Sequence, residues 1–193
     1  VSQPDLEKSF FYQDKPKGGA SKSDLGLIHA CFGQGVGKST RSVGLAVRAA
    51  GSGLKVFFVQ FMKSGDSGEV GILSGIDNID YRSPGDHPFI LADGPKPVHL
   101  QHAEQALSFA KEAVAQGRQL IVCDELLSAL LFKVVSLQQV LELVELCRGK
   151  ADLVMTGVDA PPEIQMVCDY VTEFRQIKHP YYDGYNSRRG IEF

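Results

Sequence analysis

From Leu25 onward the chain alternates short apolar runs with longer stretches whose apolar residues recur at helical spacing. Residues 25–32, 55–61, 119–123, 152–156 and 170–174 are apolar enough to predict strands, and a shorter strand is expected near Ile79-Asp80-Tyr81. Between them, residues 41–50 are helix-compatible, and Leu100, Ala103, Leu107, Ala110 and Val114 mark the buried stripe of another helix. Ser136 followed by Gln139 predicts a capping box, with Leu137, Val140, Leu141 and Val144 facing inward, and Pro161-Pro162-Glu163 opens a further helix. Apolar strands alternating with helices predict an α/β fold, a mostly parallel sheet covered on both faces. Residues 62–97 are rich in Gly, Asp, Ser and Pro, and a connection of that length inside a compact domain reads as functional.

Residues 1–24 break the pattern: prolines, glycines and scattered charges surround one aromatic knot, Phe10-Phe11-Tyr12. They read as an N-terminal arm or tail, with residues 25–193 as the domain proper. With 193 residues, 44% of them hydrophobic, the chain is long enough to bury one sizeable core. A net charge of −3 supplies no basic field, so nucleic acid is not an expected partner. No apolar run reaches membrane-spanning length and no secretory signal is evident, so no membrane association is expected. The four cysteines, Cys31, Cys123, Cys147 and Cys168, lack zinc-like spacing and read as unpaired, with Cys31 and Cys123 as small buried hydrophobes. The chain reads as cytoplasmic.

Chemistry concentrates after the first strand, in Gly33-Gln34-Gly35-Val36-Gly37-Lys38-Ser39-Thr40. Three glycines let the backbone curl so that successive N–H groups converge on one anion, and the helix beginning near Lys38 adds the positive end of its dipole. Lys38 offers a compact charge to phosphates and Ser39 a hydroxyl to magnesium. The usual phosphate loop carries a glycine where this chain has Phe32, so the loop is a variant. Asp124-Glu125 follow a buried strand at its carboxyl end, where open parallel sheets bind ligands, and can hold magnesium beside Ser39 or cap the next helix. Gln60 and Lys63 fall at the same edge; Lys63 reads equally as a site residue or a solvated loop lysine. His99 and His102 share a helical spacing but lack a third metal ligand, and fit a polar helix face. His179 sits in a turn-rich segment that suggests a shaped loop.

Together these landmarks resemble the ATP:corrinoid adenosyltransferases. The residues that carry the resemblance are the loop from Gly33 to Thr40, Arg48 in the following helix, Val59-Gln60-Phe61-Met62-Lys63, Asp124-Glu125-Leu126, Thr156-Gly157, and the C-terminal run from Ile177-Lys178-His179-Pro180 to Gly190-Ile191-Glu192-Phe193. The resemblance implies a three-layer P-loop NTPase fold of RecA-like type, with ATP, Mg2+ and a reduced corrinoid as ligands. It implies that Lys38 and Glu125 are catalytic, that Ser39 and Glu125 hold magnesium with Asp124 behind them, and that Gly33 to Thr40, Arg48 and Phe89 line the substrates. Phe89 stands for the apolar wedge beneath the corrin, in a chain without tryptophan. Gln34 and Val36 replace an asparagine and a lysine common in the family, which removes one charge near the triphosphate. Related members are homodimers whose N-terminal arm covers the partner's site, and a reductant protein such as a flavodoxin is implied. A P-loop ATPase or kinase acting at the γ-phosphate, and a non-catalytic ATP-gated corrinoid-binding protein, are the competing readings.

Overall fold

The computed structural model describes residues 25–86, 90–92 and 94–192. Its framework is a six-stranded sheet in the order β3-β2-β4-β5-β1-β6. The strands are β1 (Ile28–Phe32), β2 (Val56–Gln60), β3 (Ile79–Arg82), β4 (Leu120–Asp124), β5 (Asp152–Gly157) and β6 (Tyr170–Glu173). Every strand pair of this sheet is parallel, so the expectation of a mostly parallel sheet is met in full. Each predicted strand is present; the last ends at Glu173 rather than at Phe174.

Parallel strands must be joined by crossovers, and helices supply them. Helices α1 (Lys38–Gly51) and α2 (Glu69–Leu73) cover one face. Helices α3 (Pro97–Ala115), α4 (Leu126–Leu131), α5 (Leu137–Cys147) and α6 (Pro162–Val167) cover the other. The buried stripe of α1 is made of small residues, Ser42, Ala46, Ala49 and Ala50, so the helix lies close on the sheet. Leu100 departs from the predicted α3 stripe and is exposed, whereas Ala103, Leu107, Ala110 and Val114 are buried. The capping box at the start of α5 forms in both directions between Ser136 and Gln139. Cys31, Cys123 and Cys147 are buried and Cys168 is partly so, all four as thiols.

Side-chain alternation divides each strand between the two cores. Ile121 and Cys123 of β4 and Leu153 and Met155 of β5 face α3 to α6, whereas Leu120, Val122 and Val154 face α1. The same period of two assigns Gln60, Asp124 and Thr156, at the carboxyl ends of β2, β4 and β5, to the α1 side, where all three are fully buried. That shared edge is where the chemistry gathers.

Residues 62–97 are less irregular than their composition implies, since α2 forms within them besides β3. The arm 1–24 and Phe89 lie outside the described residues. Among the described residues no helix is long and apolar enough to cross a membrane.

Candidate active site

The glycine loop joins β1 to α1 with Gly37 at the N-cap in the left-handed region, φ 104°. That conformation favours glycine, and a glycine cap leaves the first N–H groups of α1 without a side-chain acceptor. No acidic side chain occupies the first turn either. The helix start therefore keeps its donors and its dipole for an external anion.

Gly33 and Gly35 are glycines for a second reason. A Cβ at Gly33 would stand 2.4 Å from the Phe174 carbonyl oxygen, and one at Gly35 would stand 2.8 Å from it. The loop leans on the backbone just beyond β6: Gly35 N–H donates to the Phe174 carbonyl at 2.7 Å, and Phe174 N–H donates to the Phe32 carbonyl at 2.7 Å. The bend is thus braced by a segment that closes the edge of the sheet. Lys38 rests on its own loop, donating to the Gly35 carbonyl at 2.8 Å. Burial lowers its pKa and the nearby Lys63 charge adds to that, against the opposing pull of Glu125 and Asp124.

Asp124 is the hub. Its Oδ1 accepts from Ser39 Oγ at 2.9 Å and from Thr156 Oγ1 at 2.8 Å. Its Oδ2 accepts from Lys63 Nζ at 2.6 Å and, more weakly, from Gln60 Nε2 at 3.4 Å. Because β5 runs between β1 and β4, Ser39 meets Asp124 across the end of β5 with Thr156 bridging beneath. Lys63 is not a solvated loop lysine: it lines the cleft and also donates to Ser39 Oγ at 3.2 Å. Burial acts to lower the Lys63 pKa, but Asp124, with Glu125 and Glu69 behind it, raises it above its ordinary value.

Glu125 leaves the strand with φ 65° and Met62, after β2, with φ 54°. Left-handed backbone at residues other than glycine costs about 1–2 kcal/mol each and clusters at functional sites. Here the two turns redirect the chain at Lys63 and Glu125. The Glu125 N–H is tied to Thr156 Oγ1 at 2.8 Å, and its carboxylate accepts from Ser128 Oγ at the start of α4. Gly157 lets α4 approach, since a Cβ there would lie 2.4 Å from Ser128 N.

Around the hub a second ring of polar groups is satisfied internally. Tyr81 Oη donates to Gln60 Oε1 at 2.7 Å, while Gln60 Nε2 and Ser67 Oγ both donate to Glu69 Oε1, at 3.0 and 2.8 Å. Burial pushes the Tyr81 phenol up to about 12. A cleft of about 720 Å³ opens beside the loop, lined by Ser39, Thr40, Lys63 and Glu69 with Ile90 and Ile191 as apolar walls. Its size suits a ligand site. Gly190, Ile191 and Glu192 of the C-terminal run form part of the wall, and Glu192 is held there by Arg188 at 2.8 Å.

Magnesium fits this chemistry. It takes hard oxygens in small number and completes its shell with water and phosphate. Ser39 Oγ and the Asp124 carboxylate converge at 2.9 Å, and a cation, the Lys63 ammonium, already lies against both. Among the described residues no three His, Cys, Asp or Glu side chains form a metal cluster, so an all-protein cage is absent there.

Other predicted residues fall elsewhere. Arg48 is exposed in the last turn of α1, about 15 Å of helix from Lys38 at 1.5 Å per residue, and does not line the cleft. Val36 is 71% exposed at the loop tip. His99 is not on a polar face: it is fully buried and its Nδ1 accepts from Lys96 N–H at 2.8 Å, closing the start of α3. His179 does shape its loop, with Nδ1 accepting from Tyr181 N–H at 3.1 Å to begin a 3-10 turn over Pro180–Asp183. Sequence reasoning missed the bridging role of Thr156, although a hydroxyl at a strand's carboxyl end is itself a signal. It also missed Glu69, Ser67 and Tyr81, which no local pattern marks.

The sequence model of the family described as ATP:corrinoid adenosyltransferase BtuR/CobO/CobP matches residues 24–193. A corrinoid adenosyltransferase of Pseudomonas aeruginosa is 30% identical over 176 residues, covering 90% of this chain and 86% of that protein. One from Sinorhizobium sp. is 31% identical over 185 residues, covering 90% and 84%. The corrinoid adenosyltransferase CobA of Salmonella typhimurium is 25% identical over 182 residues, covering 90% and 88%.

Proposed function

The chain belongs to the ATP:corrinoid adenosyltransferase family, and from that premise we propose that it transfers the 5′-deoxyadenosyl group of Mg-ATP to the cobalt of a Co(I) corrinoid. The observation that carries this reading is the convergence of Ser39, Lys63 and Thr156 on buried Asp124, beside a glycine loop whose helix keeps its N–H donors free and beside a ligand-sized cleft. In the proposed reaction the Co(I) electron pair attacks the ATP 5′-carbon. A Co–C bond forms, the C–O bond breaks, and triphosphate leaves with the bonding pair.

The protein contributes position and electrostatics. Loop amides between Gly33 and Lys38 other than that of Gly35, which stays on the Phe174 carbonyl, receive the triphosphate with the dipole of α1. Lys38 exchanges the Gly35 carbonyl for a phosphate oxygen as charge develops there. Ser39, Asp124 and Glu125 would hold magnesium, which when bound neutralises charge on the departing triphosphate. Thr156 orients both acidic residues, through the Asp124 side chain and the Glu125 backbone. ATP lies reversed relative to ordinary P-loop enzymes, with the ribose carbon toward the cleft. Holding that carbon in line with cobalt is worth several kcal/mol, up to roughly 7–11 in favourable intramolecular models.

Phe89 is proposed as the apolar wedge that makes bound Co(II) reducible, and Arg48 as a corrin contact contributed away from the described cleft. A homodimer with residues 1–24 as the covering arm, and a flavodoxin-like reductant in the cytoplasm, complete the proposal. The test is anaerobic incubation with cob(I)alamin and Mg-ATP. Adenosylcobalamin and triphosphate in equal amounts are expected. ADP and phosphate would instead indicate cleavage at the γ-phosphate, and binding of both ligands without a Co–C bond would indicate a carrier.

A further inference from the structure

Lys63 stands where a metal ion would be expected. Its ammonium lies 2.6 Å from Asp124 Oδ2 and 3.2 Å from Ser39 Oγ, the same two groups that a P-loop magnesium would approach. Glu125 and Glu69 add negative potential around it, and Asp124 is fully buried. A buried carboxylate without a cation is costly, so something positive must occupy this pocket when no metal does. The left-handed turn at Met62 aims Lys63 there, and its side chain keeps 27% of its surface exposed toward the cleft.

We infer that Lys63 is the resident counter-ion of the nucleotide-free site, and that it must vacate Asp124 and Ser39 before a divalent cation can contact them. This inference rests on the reading of the site as a Mg-ATP site. An ammonium and a divalent cation cannot share the same pair of oxygens, because two positive charges within about 4 Å repel strongly in a partly buried pocket. Nucleotide phosphates resolve the competition. They give the metal further oxygens, and they give Lys63, which already lines the cleft, a new anion to pair with. Metal binding is therefore contingent on nucleotide, and Lys63 is a positioning residue whose departure couples the two.

The test is Mn2+ binding to the full chain by electron paramagnetic resonance, with and without ATP and with no corrinoid present. Wild type should bind Mn2+ weakly without nucleotide and at least tenfold more tightly with ATP. Lys63→Met should bind Mn2+ without nucleotide at least tenfold more tightly than wild type, and Lys63→Arg, which keeps the charge, should resemble wild type. Lys63→Gln, which can still donate to Asp124, serves if the methionine variant fails to fold. In the wild type, the 13Cε resonance of Lys63 should stay in place on adding Mg2+ alone and move on adding Mg-ATP. Equal nucleotide-free affinities for wild type and the neutral variants, or a Lys63 shift with Mg2+ alone, would overturn the inference while leaving the Mg-ATP site intact. Failure of every form to bind Mn2+ even with ATP would remove the Mg-ATP site and this inference with it.

Discussion

Replacing Thr156 by valine isolates the contact on which both acidic residues depend. The side chain is fully buried, its oxygen accepts from the Glu125 N–H and its proton goes to Asp124 Oδ1, each at 2.8 Å. Valine matches the shape but supplies neither function. A buried N–H left without an acceptor costs about 1–3 kcal/mol, and a lost hydrogen bond to a charged group about 1.5–3 kcal/mol. Asp124 retains Ser39, Lys63 and Gln60 as donors, so the second cost falls toward its lower end. A net loss of roughly 3 kcal/mol follows, which for a domain of this size lowers the melting temperature by about 6–12 °C. Glu125, freed from its tether at φ 65°, should also relax out of place, so kcat should fall at least tenfold. Thr156→Ser keeps the oxygen and loses one methyl, and should restore most of both properties at a cost of about 1 kcal/mol. Thermal unfolding and triphosphate release report the two effects separately. A valine variant that melts within 2 °C of wild type and turns over normally would refute the reasoning.

Other predictions probe the loop and a buried titrating group. Lys38→Ala should reduce turnover by about a hundredfold or more with the fold intact, since a preorganised charge is lost at the leaving group; wild-type rates would remove Lys38 from the site. Gly33→Ala should destabilise the protein by roughly 2–5 kcal/mol even without nucleotide, because its Cβ would collide with the Phe174 carbonyl and the residue sits at φ 115°; an unchanged melting temperature with only weakened ATP binding would contradict this. Val36→Lys adds a charge at the exposed loop tip and should lower the KM for ATP by about two- to fivefold at low salt, an advantage that fades as salt rises; no change at low salt would argue that the triphosphate lies elsewhere. His29 stacks on Tyr170 at 4.4 Å, and burial together with the Arg41 charge lowers its pKa below 6.5 despite opposing carboxylates at Asp152 and Asp169. The unfolded chain then binds the extra proton first, so this stabilisation is complete above pH 6.5 and is lost as pH falls toward the lower native value. His29→Gln should flatten the loss of melting temperature between pH 7 and 5, and an unaltered slope would refute that assignment.

The order of strands and helices could be read from the sequence because parallel strands buried on both faces are apolar throughout, as in Phe57-Phe58-Val59 or Ile121-Val122-Cys123. Asp124 and Glu125, at the end of one such run, could be singled out because ligands gather at the carboxyl ends of such strands, and Lys38 because it closes the glycine loop. What converges from distant positions could not. Gln60, Glu69, Tyr81, Asp124 and Thr156 form one network only after four strands and α2 are assembled. The brace on Gly33 and Gly35 comes from Phe174, far along the chain, so their local sequence suggested phosphate alone. His99 looked like a surface residue because its role is to accept from the backbone of Lys96, which leaves no periodic trace. Arg48 shares a motif with the loop, yet its helix carries it to the opposite end of α1.

The most direct measurement is a crystal structure of the full chain with Mg-ATP and no corrinoid. The account predicts the triphosphate on the loop amides between Gly33 and Lys38 other than Gly35, Lys38 Nζ moved from the Gly35 carbonyl to phosphate, and the ribose 5′-carbon facing the cleft between Lys63 and Ile191. A triphosphate bound away from that loop, or a ribose carbon buried where no second substrate can approach it, would contradict the account.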